Sequence, residues 1–372
     1  MIPYVALLLT VLVISFCSFF FKEKRFARLI FSLIPALLLL LLFSLRSISV
    51  GRDTIEYAKS YAKLTNISAV GKKDVGFYFF AFVFRQITPN FSIFLFICGL
   101  IICGSLFLIT FKYCENPGLG YLIFLATSFS MMLSALRQIL ATAFLIYGIY
   151  FYLSKNKFRY LSIVFLILAF TFHSSSLVFL LVIPLYFLPK KTYSFLFVCF
   201  LAIFILLFSN SFGLLFATLN ITFYGVTSSL HNIPEVGIFW FVICIALYFL
   251  WAKNKPYSVI NNLIYKIKLP AFFYRFKTNN DKCINDKYES NFIFLAFLVP
   301  IFMFLSSSNT VFPRMAIFFT PFLMIASNAT CLNNSKRLSL LSSATLIVCV
   351  SLCFVLLFLF DNRLDCVPYS FL

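Results

Sequence analysis

Charged side chains are scarce in this sequence. Of its 372 residues, 11% are Asp, Glu, Lys or Arg, only two are His, and 62% are apolar. In soluble globular domains about a quarter of the residues are charged. The composition therefore excludes an ordinary soluble protein and predicts an integral membrane protein that is surrounded mainly by lipid.

The sequence also lacks the short motifs of many soluble and metal-dependent enzymes. It has no Walker loop and no GxGxxG, HExxH, GxSxG, DxD or CxxC motif. Two His residues and 11 acidic residues are too few to predict a dedicated metal site, so no metal and no cofactor are expected. The 11 cysteines lie mostly inside apolar runs, which argues against a disulfide framework.

The excess of positive charge does not indicate nucleic-acid binding. The formal net charge is +19, but the Lys and Arg residues form short clusters between apolar runs. Such clusters are typical of loops that contact membrane lipids. The largest one, in residues 253–290, predicts a basic cytoplasmic loop with an interfacial helix on anionic lipid.

The apolar runs predict a single polytopic domain over residues 1–372 with about twelve transmembrane helices, because each helix needs about 20 residues to cross the bilayer. Two long apolar stretches exceed that length, so the chain must reverse near 134–138 and near 173–176. The predicted spans are 3–21, 29–45, 91–111, 118–134, 137–153, 159–173, 175–188, 193–209, 237–252, 291–307, 315–330 and 338–360.

The flanking charges predict the orientation of the chain. No basic residue precedes the first apolar run, whereas Lys22, Lys24 and Arg25 follow it, which predicts a retained span with the N-terminus outside. With that orientation, 20 Lys and Arg residues fall on the inner side and ten on the outer side, as the positive-inside rule requires.

The longest outer segment near the N-terminus is the polar interval 46–90. Within it, Asp53, Tyr57 and Tyr61 recur every four residues, so a helix would place them on one face. Gly51 permits a bend before this helix, which Asp53 or the next residue could cap. The simpler reading is a capped surface helix. The run 77–87 is aromatic and amphipathic, which predicts a helix along the membrane surface.

Three predicted outer helix starts carry a basic or titratable side chain. Arg137 is followed by Gln138 at one of them, and Arg137 lies in the first helical turn if Ser134 caps that helix. A cation is unfavourable at the positive end of a helix dipole unless an anion binds there as well. The other two starts carry His173 and Arg314. One anionic ligand that all three side chains bind is a better explanation than three separate roles. The separate roles would be snorkelling to lipid headgroups for Arg137 and structural hydrogen bonding for His173.

Several segments resemble a known family. They are SVGRDTIEYAKSY at 49–61, DVGFYFF at 74–80, the block 134–180 that contains ALRQ and FHSS, and FPRMAIFF at 312–319. Their order and spacing are similar to those of the EpsG family of bacterial polysaccharide polymerases, which is Wzy-like. The family often has Glu where Asp74 stands here.

The resemblance implies a Wzy-like, GT-C-like all-α fold and a function on the outer face of the bacterial plasma membrane. Members polymerise oligosaccharide repeat units linked to polyprenyl diphosphate, for O-antigen, capsule or exopolysaccharide. The growing glycan leaves its carrier and joins a hydroxyl of the next lipid-linked unit. The implied partners are this lipid-linked oligosaccharide and membrane lipids, and a chain-length regulator protein is a further candidate.

We therefore predict a diphosphate site built from arginines, whose planar fork binds phosphate oxygens without a metal. Arg137 and Arg314 bind the diphosphate in this hypothesis, Arg46 or Arg52 closes over it, and Gln138 orients them. Proton acceptance from the attacking hydroxyl needs a base. The candidates for the base are Asp74, His173 and Asp53.

Alternative functions remain open at this point. An O-antigen ligase-like transferase would move finished glycan to another acceptor, and a membrane acyltransferase would use His173 for different chemistry. A flippase or transporter of lipid-linked oligosaccharide would use the outer arginines as a loading site. Bond formation by purified protein in detergent would separate the enzymes from a pure transporter.

Overall fold

The computed structural model of the chain is built from helices. It describes residues 2–21, 24–66, 73–154, 157–187, 192–208, 234–253, 292–305, 314–332 and 336–360, together with Cys366, Tyr369 and Ser370. Within these ranges every regular element is an α-, 3-10 or π-helix. The chain is therefore all-α over the part that the structure describes, as predicted.

Among the described residues, five helices are long and apolar enough to cross a membrane. They are α1 (Ile2–Phe21), α2 (Arg25–Ser44), α5 (Phe91–Tyr113), α6 (Pro117–Ser134) and α7 (Leu136–Leu153). Several of their neighbours are apolar helices of 10–17 residues. These helices make the chain a multi-pass membrane protein, while its orientation in the bilayer stays a prediction.

Two short helices, α3 (Thr54–Lys63) and α4 (Val75–Ile87), lie between α2 and α5. The remaining helices follow α7 in the chain. They are α8 (Leu161–Phe172), α9 (Val182–Phe187), α10 (Thr192–Leu207), α11 (Pro234–Lys253), α12 (Leu298–Phe304), α13 (Thr320–Leu332) and α14 (Lys336–Phe354), with 3-10 turns at Lys157–Tyr160, Ser174–Leu181 and Ala316–Phe319 and a π-helix at Val355–Phe360.

The helices are interrupted at both places where the chain is predicted to reverse. Between α6 and α7 the helix is interrupted at Ala135, with φ −99° and ψ 70°. Between α8 and the following 3-10 helix it is interrupted at His173, which has an extended backbone with φ −155°. Over the described residues each predicted span contains helical residues, and five of the helices are candidate spans by length and composition together. The total of twelve stays a prediction.

The chain divides into two compact units. Unit 1 contains residues 1–179 and 347–372, and unit 2 contains residues 180–346. In unit 2, Phe195 of α10 stacks on Tyr248 of α11 with ring centroids 3.5 Å apart. Close helix packing is also found at Gly237, where a Cβ would collide with the Phe304 ring.

In unit 1, small residues bring the long helices together. An added Cβ at Gly118 of α6 would collide with the backbone of Ser15 in α1, and one at Gly99 of α5 would lie 2.8 Å from Leu40 Cδ1 of α2. The Tyr121 hydroxyl donates to the Ser32 carbonyl at 2.9 Å. These contacts pack α1, α2, α5 and α6 together in unit 1.

The C-terminal residues that the structure describes pack against the start of the chain in the same unit. The Ser47 N–H donates to the Ser370 carbonyl at 2.9 Å, and the Tyr369 hydroxyl donates to the Leu42 carbonyl at 3.0 Å. The Tyr4 hydroxyl donates to the Cys366 carbonyl at 2.6 Å. The last residues therefore hold the segment that leads from α2 to α3.

Two segments with predicted roles lie largely or wholly outside the described residues. They are the basic loop 253–290, of which only Lys253 is described, and the outer segment 210–236, of which only the start of α11 is described.

Candidate functional site

Asp74 is the residue around which the candidate site is arranged. It directly precedes α4 and has φ 53° and ψ 46°, a left-handed conformation that is uncommon for residues other than glycine. Gly76, two residues after Asp74, packs so closely on Thr171 of α8 that an added Cβ would collide with it. The start of α4 therefore packs against the end of α8, and this contact places the Asp74 carboxylate beside His173.

The Asp74 carboxylate accepts three hydrogen bonds from two distant parts of the chain. Arg137 Nη1 donates to Oδ2 at 2.7 Å, and His173 Nδ1 lies 3.2 Å from the same oxygen. The Ser174 backbone N–H donates to Oδ1 at 3.0 Å. The Asp74 side chain is 0% exposed. The carboxylate therefore joins α4, α7 and the start of the 3-10 helix after α8.

These contacts keep Asp74 ionised. Burial alone would raise the pKa of the carboxyl group, but the hydrogen bonds from His173 and Ser174 and the nearby charge of Arg137 outweigh burial and lower this pKa. Ser174 begins a 3-10 helix, so its N–H, which donates to the carboxylate, is one of the groups that a helix start leaves without an intrahelical acceptor. A carboxylate held in this way is a poor proton acceptor and a good anchor.

Arg137 is the second residue of α7, in the first turn as the sequence predicts. Its guanidinium lies 5.7 Å from the ring centroid of Tyr57 and 5.8 Å from that of Tyr78. Its Nε lies 3.5 Å from the Tyr57 hydroxyl, and the side chain is 28% exposed. Among the residues that the structure describes, none accepts a hydrogen bond from Nη2. This nitrogen is therefore available to bind a ligand.

His173 lies between α8 and the 3-10 helix, and its side chain is 15% exposed. The ionised carboxylate of Asp74 can only accept a hydrogen bond, so Nδ1 of His173 is the nitrogen that donates to it. Nε2 is then the basic nitrogen, and within the described ranges it has no hydrogen-bond partner. The pair is an imidazole that a buried carboxylate orients, an arrangement that suits a general base.

Arg137 and His173 are close to each other because both bind the same oxygen. The separation of Nη1 and Nδ1 cannot exceed the sum of their distances to Oδ2, 2.7 and 3.2 Å. A cationic fork and a nitrogen base thus stand side by side. The arrangement can bind an anion and accept a proton from a group next to that anion.

The segment before α3 supports this site. Gly51 has φ +88°, and a Cβ there would collide with the Leu133 carbonyl at the end of α6, so only glycine fits. The Thr54 hydroxyl contacts the same carbonyl at 3.2 Å. The prediction that Ser134 caps α7 is wrong. Ala135 occupies the cap position, and the Ser134 hydroxyl instead accepts the Asp53 N–H at 3.4 Å.

The other residues predicted for the site in this unit lie around the cluster without joining it. Asp53 occupies the cap position of α3, but its side chain makes no capping bond. Arg52 is exposed. Gln138 is 6% exposed, and its Oε1 has no hydrogen-bond partner among the described residues. Their roles at the site stay predictions.

Arg46 has an environment unlike that of the other predicted site residues. It is 1% exposed. Its Nη1 donates to the Phe43 carbonyl at 3.0 Å, and its guanidinium lies 4.1 Å from the Phe43 ring centroid. Burial lowers its pKa to about 10, which leaves it charged at neutral pH. The structure thus favours a structural role for Arg46 over the predicted contact with the diphosphate.

Arg314 is half-buried and belongs to unit 2. Its convergence with Arg137 of unit 1 stays a prediction. Within the described residues, no group of three His, Cys, Asp or Glu side chains is arranged to hold a metal ion.

Sequence reasoning missed one contributor to the site, Tyr57, and one neighbour of it, Tyr78. Tyr57 was expected only as one member of a helical stripe, and Tyr78 carried no signal beyond its place in an aromatic run. The stripe was a real clue, because Tyr57 packs edge-on against Phe77 at 5.8 Å and also contacts Arg137. The spacing of four residues could reveal the shared face but not the arginine that meets it.

The EpsG family matches residues 29–371, which include every residue of the cluster. No curated protein and no solved structure matches this chain.

Proposed function

The chain belongs to the EpsG family, and on that premise we propose that it polymerises oligosaccharide repeat units carried on polyprenyl diphosphate. The family links this multi-pass membrane protein to exopolysaccharide biosynthesis. One observation carries the more specific proposal. Within the described residues a buried carboxylate, Asp74, holds an arginine whose Nη2 has no acceptor next to a histidine whose Nε2 has no partner.

The proposed reaction transfers the growing glycan. A hydroxyl oxygen of the next lipid-linked unit bonds to the anomeric carbon of the glycan, and the bond from that carbon to the diphosphate oxygen breaks. The electron pair of the broken bond stays on the polyprenyl diphosphate. The hydroxyl proton passes to a base of the protein.

Arg137 is proposed to stabilise the leaving diphosphate. Negative charge grows on the bridging oxygen as the bond breaks, and a positioned guanidinium is worth most where that charge develops. The bond to Asp74 fixes Nη1, while Nη2 remains available to phosphate oxygens. Lysine could supply the charge but not the fixed fork.

His173 is proposed as the base, with Asp74 as the residue that orients it. Nε2 is the nitrogen that the structure leaves without a partner among the described residues, whereas both Asp74 oxygens already accept hydrogen bonds. The lowered pKa of Asp74 also makes it the weaker base. The sequence alone left Asp74, Asp53 and His173 open for this role.

The remaining parts of the proposal come from the sequence and the family. The site faces the outside of the bacterial plasma membrane, the N-terminus lies outside, and the fold is Wzy-like and GT-C-like with about twelve spans. Arg314 completes the diphosphate site, and the reaction proceeds without a metal. Membrane lipids and a chain-length regulator are the proposed partners besides the substrate.

The test is polymerisation by purified protein in detergent, with lipid-linked repeat units as the only substrate. We expect a ladder of products that grow by one repeat unit and free polyprenyl diphosphate in equal amount to the bonds formed. A flippase would form no glycosidic bonds in this assay, because it only moves the lipid-linked substrate across a membrane. An O-antigen ligase-like transferase would give product only when another acceptor is added, and either result would overturn the proposal.

The role of Arg137 is tested in the same assay with Arg137→Lys. We expect a loss of about a hundredfold in the rate of transfer, since one positioned donor is worth about 10²–10³ in rate. Arg159→Lys is the matched control, because Arg159 also lies over a tyrosine ring, that of Tyr152 at 4.3 Å. Equal ladders from wild type and Arg137→Lys would remove Arg137 from the mechanism.

A further inference from the structure

We propose that the Tyr57 hydroxyl is a further phosphate contact, which donates a hydrogen bond to the same anion that Arg137 binds. The inference rests on the proposed function and adds a residue to its donor site. It begins from the geometry of the Arg137 guanidinium, whose five N–H groups point in fixed directions.

The guanidinium has two edges on which an anion can make paired hydrogen bonds. One edge is formed by Nη1 and Nη2, and the other by Nε and Nη2. Asp74 binds Nη1 at 2.7 Å. An anion on the first edge would stand beside this carboxylate and be repelled by it. The edge formed by Nε and Nη2 is therefore the favourable one.

The Tyr57 hydroxyl stands at that second edge. Its oxygen lies 3.5 Å from Nε, a length at which a hydrogen bond is weak and easily replaced. The phenol proton has no acceptor among the residues that the structure describes. Burial raises the pKa of Tyr57, so the hydroxyl keeps this proton. A phosphate oxygen that bound Nε and Nη2 would thus meet a ready O–H donor.

The packing of Tyr57 makes the hydroxyl a positioned group. Its ring lies edge-on to Phe77 at 5.8 Å, and Phe77 is 3% exposed. The α3 helix that carries Tyr57 is fixed at its start by Gly51 and Thr54 against the Leu133 carbonyl. The hydroxyl is therefore held next to Arg137 before any ligand arrives, which reduces the entropy lost on binding.

Tyr78 neighbours the site without a hydrogen bond to Arg137 and so provides a matched control. Its ring lies 5.8 Å from the Arg137 guanidinium, against 5.7 Å for Tyr57. Its hydroxyl makes no hydrogen bond to Arg137 in the described structure. Phenylalanine at either position keeps the ring and removes only the oxygen.

The experiment measures binding of farnesyl diphosphate to the full chain in nanodiscs of zwitterionic lipid, with farnesyl monophosphate as a second probe. We expect Tyr57→Phe to weaken diphosphate binding about tenfold, the effect of one hydrogen bond to a charged group. Tyr78→Phe should bind within about twofold of wild type. Both variants should keep the wild-type melting temperature within about 2 °C, since neither loses a packed ring.

The outcomes separate this inference from the function on which it rests. If wild type binds farnesyl diphosphate and Tyr57→Phe binds equally well, the role of Tyr57 is wrong and the donor site stands. Equal weakening by both phenylalanine variants would also refute it, because the hydroxyl of Tyr78 does not reach Arg137. Failure of wild type to bind the diphosphate above the monophosphate would overturn both.

A double-substitution cycle tests whether Tyr57 and Arg137 act on one anion. If they share it, Tyr57→Phe in the Arg137→Lys background should weaken binding less than about twofold, because lysine lacks the edge that places phosphate beside the hydroxyl. A full tenfold effect in that background would show that Tyr57 acts elsewhere, and the inference would be wrong.

Discussion

Two arginines in unit 1, Arg137 and Arg46, lie in different environments. Arg137 has a carboxylate partner at 2.7 Å and a side chain that is 28% exposed. Arg46 is 1% exposed, its Nη1 donates to a backbone carbonyl, and its Nε has no hydrogen-bond partner among the described residues. The sequence gives both the same expected role, contact with a diphosphate.

The difference shows what an arginine needs in order to act on a ligand here. Arg137 has one edge fixed by Asp74 and another edge open, so it can bind an anion without losing its position. Arg46 lies over the Phe43 ring, next to the point where Ser47 pairs with Ser370. It is placed to stabilise the junction between α2 and the C-terminal residues.

The strongest way to break this contrast is to remove the anchor of Arg137. Asp74→Asn should lower the rate of transfer by about a hundredfold or more, because the amide is neutral and offers one acceptor oxygen, whereas the carboxylate accepts from Arg137, His173 and Ser174 on two. The measurement is product formation per folded molecule. Asp53→Asn is the control, and we expect it to retain at least about a third of the wild-type rate. The opposite ranking of the two variants would move the anchor to Asp53.

His173→Asn sharpens the contrast by removing a base and keeping a donor. Its side-chain amide can still donate to Asp74 from roughly the Nδ1 position, but it has no basic nitrogen. We expect a loss of about a hundredfold in transfer with farnesyl diphosphate binding close to wild type. An active His173→Asn variant would show that the imidazole is not the proton acceptor.

Arg46→Met should act on stability more than on transfer. Methionine can fill the site beside the Phe43 ring, and replacing a poorly paired buried charge by an apolar side chain often changes stability by only about 1–2 kcal/mol. We expect a shift in melting temperature and a rate per folded molecule within about threefold of wild type. If transfer fell a hundredfold while the melting temperature stayed normal, the structural role would be wrong and Arg46 would be a diphosphate contact.

The smallest expected effect is in the acid dependence of stability. Because the folded state lowers the pKa of Asp74, its ionised form stabilises the fold at pH values above the usual range of an Asp carboxyl. This stabilisation is lost as the pH falls through the lowered value. The difference in melting temperature between wild type and Asp74→Asn should therefore narrow at low pH. A constant difference from pH 7 to pH 3 would argue against the lowered pKa.

Much of the helical framework could be predicted from the sequence. Lengths of apolar runs located the helices, and the limited thickness of a bilayer required the breaks that the structure has at Ala135 and His173. The helical stripe that contains Tyr57 was also correctly predicted as part of a helix, α3. These features depend on local composition and length, which a sequence displays directly.

The arrangement of the site could be predicted only in part. Arg137, His173 and Asp74 were all named as candidates, but the joining of all three at one carboxylate was not, since Asp74 is 63 residues from Arg137 and 99 from His173. The left-handed backbone of Asp74 and the burial of Arg46 likewise depend on tertiary packing. No local pattern reveals which of several outer arginines faces a ligand.

The most direct test of the central claim is the position of the diphosphate in a cryo-electron microscopy structure. The purified chain would be bound to a polyprenyl-diphosphate-linked oligosaccharide in which a methylene group replaces the oxygen between the anomeric carbon and phosphorus, so that the glycan cannot be transferred. The account predicts phosphorus density within hydrogen-bond reach of Arg137 Nη2, about 3 Å from nitrogen to oxygen, with Asp74 still bound to Nη1. Density at another part of the chain, with the cluster of Asp74, Arg137 and His173 unoccupied, would contradict it.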